Sequence, residues 1–500
     1  MLVIFASLLE SSSRPMTGPV FQHHLDRCLR NGVVREDDLW LWVGDQAELP
    51  RLRRASFDAA RRKAAGFPVD GLWVASVDVG DSSPGTALSC PRIVFGRGRK
   101  TMESPAVAWF NSGKSRIVQP NALWLRALRL TLEEMRTLRG TFLASTGTLT
   151  YDLVSAFATA ASSPLLQIMP DSLNSRTDSE KHADGPARQP SVTALSCYFG
   201  RNRCPKAARW TCRDRMVAQL ADVHIVLDLR PSSRLAQILA DQHRRDGRAI
   251  WILKGAHEDD SPHAGNQELV ERLLVKPHFF HARGSSSEGS SRRPPAGLWA
   301  AAVCTGWTPS WNQYLYHYTR AHAGPWPGED LHHFCIGILR GDPLSSHSAL
   351  AALARILSEG RIRASHLLVR GKQPVVSLTS RPPRELDLFR RWNRSQARWT
   401  LEPYGIAIRR SVIKGMGARP TIYGDESVHR TLRPGDRYKF QSRGMKTSWV
   451  GEREWRLKGD LWFRDLAPGD YFVFVPSGDE ARKLAALAEH PGRCVTLDRA

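Results

Sequence analysis

The sequence predicts an α/β N-terminal region built on a mostly parallel sheet, followed by an α+β C-terminal domain. Three observations carry this. Apolar runs of strand length alternate with helical segments from about residue 39 to residue 253. A Gly-, Ser- and Pro-rich stretch at residues 283–297 then interrupts the alternation. Beyond it, short apolar runs recur with few helices between them. Five hundred residues exceed one ordinary core, and the expected division is an α/β segment 1–118, a second α/β region 119–282, a linker 283–297 and a further domain 298–500.

In the first segment, residues 1–9 are apolar but short, lack a basic start and meet Glu10, so a first strand is expected and not a signal peptide. Strands are expected at residues 39–43 and 71–77, with an Arg- and Ala-rich helix over 49–65 between them, an order that suggests parallel pairing. Gly96-Arg97-Gly98-Arg99-Lys100 offers cations to a phosphate, although a plain Gly-Arg turn is the commoner explanation.

Leu and Trp at helical spacing over 124–139 precede a strand over 141–144, and the turn Ser145-Thr146-Gly147-Thr148 leads into a helix over 153–161. Small hydroxyl residues and a glycine ahead of a helix suit phosphate, because backbone N–H groups and the helix dipole point into such a turn. The same residues also serve as a cap through Thr148 or Thr150. After a polar stretch at 171–193, an amphipathic helix over 213–222, a strand over 224–229, a helix through 243 and a strand over 249–253 complete a β-α-β pattern.

Over residues 120–255 this succession resembles the LOG and DNA-processing-protein superfamily, whose Rossmann-like domains bind nucleotides or nucleic acid. Arg213 and Arg215 match the Arg-rich helix that precedes a strand there; with Thr146, Gly147 and Thr148 of the turn described above they are the candidate nucleotide-binding residues. Ser232 and Ser233 stand where a glycine pair is usual, a departure that bears on close phosphate approach because serine carries a Cβ. The catalytic Glu of the phosphoribohydrolase members is not identifiable, so the resemblance implies a binder.

In the C-terminal domain a strand over 314–319 carries His317 and Tyr318; taken alone, His317 reads as a core histidine bonded to a carbonyl. An amphipathic helix over 350–357 stops at Gly360. A strand over 375–380 puts Ser377 and Thr379 on one face and ends at Pro382-Pro383. Strand-like pieces at 402–408, 420–424 with Tyr423, and 472–476 precede a helix over 478–490. Within residues 448–456, Glu452 and Glu454 stand at i and i+2, which a strand would place on one face. A solvated acidic edge is the plainer account of that pair.

In the order His-Tyr-Thr, Ser-Leu-Thr-Ser, Glu-Arg-Glu-Trp-Arg, these segments resemble the split NAD site of the ADP-ribosyltransferase-like fold, and they are similar to bacterial phage-defence proteins of the abortive-infection antitoxin type. The resemblance covers residues 311–476. It implies two packed sheets, NAD as substrate and no metal. It also implies Glu454 stabilising a positively charged ribose, Glu452 aiming an acceptor or raising its neighbour's pKa, and His317 donating to the adenosine-side ribose. Ser377 and Thr379 would orient these groups, and Tyr318 or Tyr423 would stack on nicotinamide.

The expected function is therefore a NAD-dependent ADP-ribosyltransferase or NAD-cleaving effector in bacterial defence or signalling, with a nucleotide-sensing N-terminal region. Two other classes stand beside it: a non-catalytic, antitoxin-like protein with a protein partner, and a basic nucleic-acid-binding protein. The balance of 71 Lys and Arg against 49 Asp and Glu, a net +22, suits a polyanion, although arginine spread along the whole chain fits a coding bias as well. Eight cysteines form no recognisable framework, and Cys197, Cys204 and Cys212 match no common zinc spacing, so reduced thiols in the cytoplasm are expected. No apolar run approaches transmembrane length, and no membrane partner is expected.

Overall fold

The computed structural model describes residues 72–76, 93–97, 105–113, 117–118, 121–171, 192–196, 205–254, 264–273, 277–281, 307, 309–366, 369–370, 373–393, 398–443, 449–467, 469–488 and 493–499. The chain divides into unit 1, residues 1–113 with 121–283, and unit 2, residues 114–120 with 284–500. The expected strands at 1–9 and 39–43, the helix over 49–65, the linker 283–297, Arg99, Lys100, Cys197 and Cys204 lie outside the described residues.

Unit 1 runs β1 (Leu72–Ser76), β2 (Ile93–Arg97), β3 (Ala106–Asn111), α1 (Leu123–Thr137), β4 (Thr141–Ser145), α2 (Leu149–Ala160), β5 (Leu165–Met169) and β6 (Val192–Ser196). It continues with α3 (Lys206–Leu220), β7 (Val223–Asp228), α4 (Arg234–Asp246), β8 (Ala249–Leu253), α5 (Ala264–Arg272) and β9 (His278–Phe280). The sheet order is β1-β2-β6-β5-β4-β3-β7-β8-β9. From β6 to β9 every pairing is parallel, whereas β1 and β2 join antiparallel at one edge.

The parallel core explains the run Ala-Val-Ala-Trp-Phe in β3, which is buried throughout because helices cover both faces of such sheets. Trp109 satisfies its indole N–H on Thr131 Oγ1 at 2.9 Å and stacks on Phe142 with ring centres 5.4 Å apart. β3 lies between β4 and β7, so residues 106–111 sit in the middle of a sheet whose other strands lie mostly after residue 121. Gly96 and Arg97 also depart from the expected Gly-Arg turn. They end β2, extended by its pairing with β1 and β6. The chain leaves β3 for β4 on one side and reaches β7 on the other, so the strand order reverses beside β3.

Unit 2 is α+β. Its seven-stranded sheet uses β10 (Tyr314–Tyr318), β11 (Val375–Thr379), β12 (Gly405–Arg409), β13 (Arg419–Pro420), β14 (Glu454–Lys458), β15 (Tyr471–Val475) and β16 (Arg493–Thr496), in the order β13-β14-β11-β10-β12-β15-β16. Only β15 and β16 pair in parallel. The longer helices are α6 (Leu331–Arg340), α7 (Ala349–Glu359) and α8 (Gly478–Leu487). Alternation divides the strands between two cores. Leu315, Ile406, Ile408 and Val473 pack with Leu353 and Leu357 of α7 and Leu484 of α8, while Tyr314, Tyr316, Tyr318, Phe472 and Phe474 form an aromatic core with Phe389. Gly360 closes α7 at φ 66°, a conformation that penalises a side chain.

Candidate functional site

In unit 2, β14 and β11 pair in the register Thr379↔Glu454 and Ser377↔Arg456, which brings the polar side chains of two distant segments together. Ser377 Oγ donates to Glu454 Oε1 at 2.7 Å. Arg456, 2% exposed, grips the same carboxylate with Nε on Oε1 at 3.0 Å and Nη2 on Oε2 at 3.2 Å. Its guanidinium is itself held by the carbonyls of Tyr438 and Phe440, at 3.0 and 2.7 Å, and by Gln441 Oε1 at 2.5 Å. Glu454 therefore sits in one fixed orientation. Arg456 has no role in the sequence-based expectation; the signal that could have found it is the i, i+2 spacing from Glu454, which puts both on one strand face.

The strand expected through Glu452 is corrected. A 3-10 turn, Trp449–Glu452, comes first, and Arg453 at φ 46° swings the chain into β14 at Glu454. Strand alternation thus does not relate the two acids. Their charges still act on one another: burial pushes the Glu452 carboxyl up to about 7, the Glu454 charge adds to that, and Arg391 and Arg320 oppose it. Thr379 secures this turn, donating to the Glu452 carbonyl and accepting from Arg381 N at 3.0 Å, while Arg381 Nε donates to the Gly451 carbonyl.

β10 and β11 pair only at Tyr316↔Thr379. Past that point the His317 ring reaches the Ser377 carbonyl, with Nδ1 at 2.9 Å. A carbonyl partner requires the proton on Nδ1, which leaves Nε2 as the acceptor of a neutral ring, and burial holds the imidazole below its ordinary pKa. Tyr423 accepts from Glu454 N at 3.3 Å through its hydroxyl, whose pKa burial pushes up to about 12. Tyr318 is corrected from ligand to core: 6% exposed, it packs edge-on against Phe389 and Phe474 and donates to the Arg381 carbonyl at 3.0 Å. The structure thus assembles His317, Ser377, Thr379, Tyr423, Glu452 and Glu454, and removes Tyr318.

In unit 1, Gly147 takes φ 88° ahead of α2, and Thr148 Oγ1 caps the helix by accepting from Tyr151 N at 3.3 Å. Arg213, 3% exposed, donates to the Thr146 carbonyl at 2.9 Å, pairs with Asp214 Oδ1 at 2.7–2.9 Å and lies over the rings of Trp210 and Tyr151. Burial raises the Asp214 pKa and Arg213 opposes the rise. Arg213 is therefore a brace beneath the turn. Arg215 is half-buried on the same helix. At the β7–α4 turn, Ser232 takes φ 54°, Ser233 caps α4, and Ser232 N donates to Glu268 Oε2 at 2.6 Å, so an acid of the chain occupies that amide.

Among the described residues no cluster of three His, Cys, Asp or Glu could hold a metal ion, and no helix is long and apolar enough to cross a membrane. Unit 1 is a Rossmann-like α/β domain with a mostly parallel sheet, and unit 2 is an α+β domain with paired carboxylates. No protein-family model and no curated protein matches the chain. Among solved structures it is similar to DNA processing protein A from Helicobacter pylori, described for its single-stranded DNA binding mode, at 16% identity over 40% of this chain and 89% of that one, with a TM-score of 0.31. It is also similar to DNA processing protein A from Streptococcus pneumoniae, at 14% identity over 53% of this chain and 95% of that one, with a TM-score of 0.33. Likenesses at this level decide neither the fold nor the function of this chain.

Proposed function

We propose that unit 2 cleaves the bond between nicotinamide and ribose in NAD and passes ADP-ribose to water or another acceptor. The supporting observation is the Glu454 carboxylate, fixed by Ser377 and by the buried fork of Arg456 beside a second carboxyl at Glu452. Departure of nicotinamide leaves positive charge on the ribose, and a pre-oriented carboxylate stabilises that charge at no reorganisation cost. A group titrating near 7, as Glu452 does, suits removal of a proton from an attacking hydroxyl. Neutral His317, with Nε2 as acceptor, and Tyr423 would contact the dinucleotide. For unit 1 we propose phosphate contact at the Thr146–Gly147–Thr148 backbone, with Arg213 as a brace beneath the turn and Arg215, on the same helix, as a second cation.

The test is nicotinamide release by the full chain and by Glu454→Gln. The charge-stabilising role predicts a fall of about a hundredfold with the fold unchanged. Release at the wild-type rate by the variant, or none by the wild type between about pH 5 and pH 9, overturns the reading.

A further inference from the structure

Residues 390–399 interleave arginine with tryptophan, in Arg390-Arg391-Trp392 and Arg398-Trp399. The structure pairs Trp392–Asn393 antiparallel with Arg398–Trp399, Trp392 opposite Trp399 and Asn393 opposite Arg398. Its base is firm. Phe389 is buried in the aromatic core, Thr400 N donates to the Arg391 carbonyl at 2.9 Å, and Arg391 N donates to Thr400 Oγ1 at 3.0 Å.

Both indoles nevertheless stand in solvent, Trp392 50% and Trp399 37% exposed, with rings edge to face at 5.5 Å. The Arg390 guanidinium lies 4.6 Å from the centre of the Trp399 ring. Exposed indoles flanked by guanidinium groups match a partner that has flat π-faces and regularly spaced negative charge.

We propose that the paired strands carrying Trp392 and Trp399 bind single-stranded nucleic acid, with unpaired bases stacking on the indoles and phosphates meeting Arg390 and Arg391. Charge selects this occupant. A chain of net +22 complements a polyanion, and Arg390, paired with Asp387 at 2.6 Å, is held over the Trp399 ring as a fixed cation. A duplex hides its base faces in the stack, so the strand must be single.

The experiment follows anisotropy of labelled single-stranded and duplex oligonucleotides with the full chain in the absence of NAD, so its outcome is independent of NAD cleavage. Replacing both Trp392 and Trp399 by Ala should weaken single-strand binding roughly tenfold per ring, with duplex binding and the salt slope unchanged. Replacing both by Phe should retain most of the affinity. Replacing Arg390 and Arg391 by Ala should reduce the salt slope by about 1.4. Circular dichroism confirms the fold of each variant. No single-strand binding by the wild type, wild-type affinity in the Ala pair, equal loss of duplex binding, or a folded Phe pair as weak as the Ala pair overturns the proposal.

Discussion

Glu452→Gln removes a charge that the folded chain disfavours. Burial first, and the Glu454 charge second, move this carboxyl from its ordinary 4.5 to about 7. The gap is about 2.5 pH units, and each unit is worth about 1.36 kcal/mol between the two protonation states. Between those pH values the folded chain binds more protons than the unfolded chain, so stability falls as pH rises through 4.5 to about 7 and the loss is complete above that window. The full loss is about 3 kcal/mol as an upper value, since Glu452 is only half-buried and solvent screens part of it. Glutamine keeps the shape and carries no charge. The variant should therefore match the wild type near about pH 4 and exceed it by about 2–3 kcal/mol near about pH 8. Urea unfolding at the two pH values reads this as a midpoint rise of about 1–2 M at the higher pH alone. An equal difference at both, or a variant less stable at the higher pH, would falsify the environment assigned to Glu452. If Glu452 also takes the acceptor's proton, the same substitution abolishes the limb near neutral pH in the profile of transfer while leaving nicotinamide release largely intact.

Other consequences follow from the same contacts. Arg456→Met leaves the Glu454 carboxylate with only the Ser377 hydroxyl and takes the guanidinium from two carbonyls, so a loss of about 3–5 kcal/mol is expected in urea unfolding; a loss below about 1 kcal/mol would mean that Glu454 is not held as described. Arg213→Ala frees the Thr146 carbonyl and leaves Asp214 without the guanidinium beside it, and should cost about 3 kcal/mol by the same measurement, whereas Arg215→Ala should change nucleotide affinity by calorimetry with little effect on stability. Tyr318→Phe removes only the hydrogen bond to the Arg381 carbonyl, about 1 kcal/mol, and should leave nicotinamide release unchanged; a large fall in release would return Tyr318 to the site.

Features governed by near neighbours were legible in advance. The apolar runs of β4 and β7 are strands because a parallel sheet needs side chains that tolerate burial on both faces. Gly360 ends α7 because a left-handed residue is required at that point. Boundaries slipped where a cap decides them: α2 starts at Leu149, four residues before the expected start, since Thr148 satisfies the first turn. Ser377 and Glu454 were found as separate segments, and their 2.7 Å hydrogen bond depends on a register that spans 77 positions of chain.

Composition and periodicity by themselves determined the α/β and α+β classes, the alternation that sorts Leu315 from Tyr316 into two cores, and which polar segments stood out, because these depend on burial patterns within a few residues. Tertiary structure alone decided that residues 106–111 lie inside the sheet of unit 1, that Arg453 turns Glu452 off the strand, that Tyr318 belongs to the aromatic core and that Arg456 orients Glu454. The physical reason is that strand partners, buried charge pairs and left-handed turns are selected by contacts between segments tens of residues apart, and local spacing is identical whether or not those contacts form.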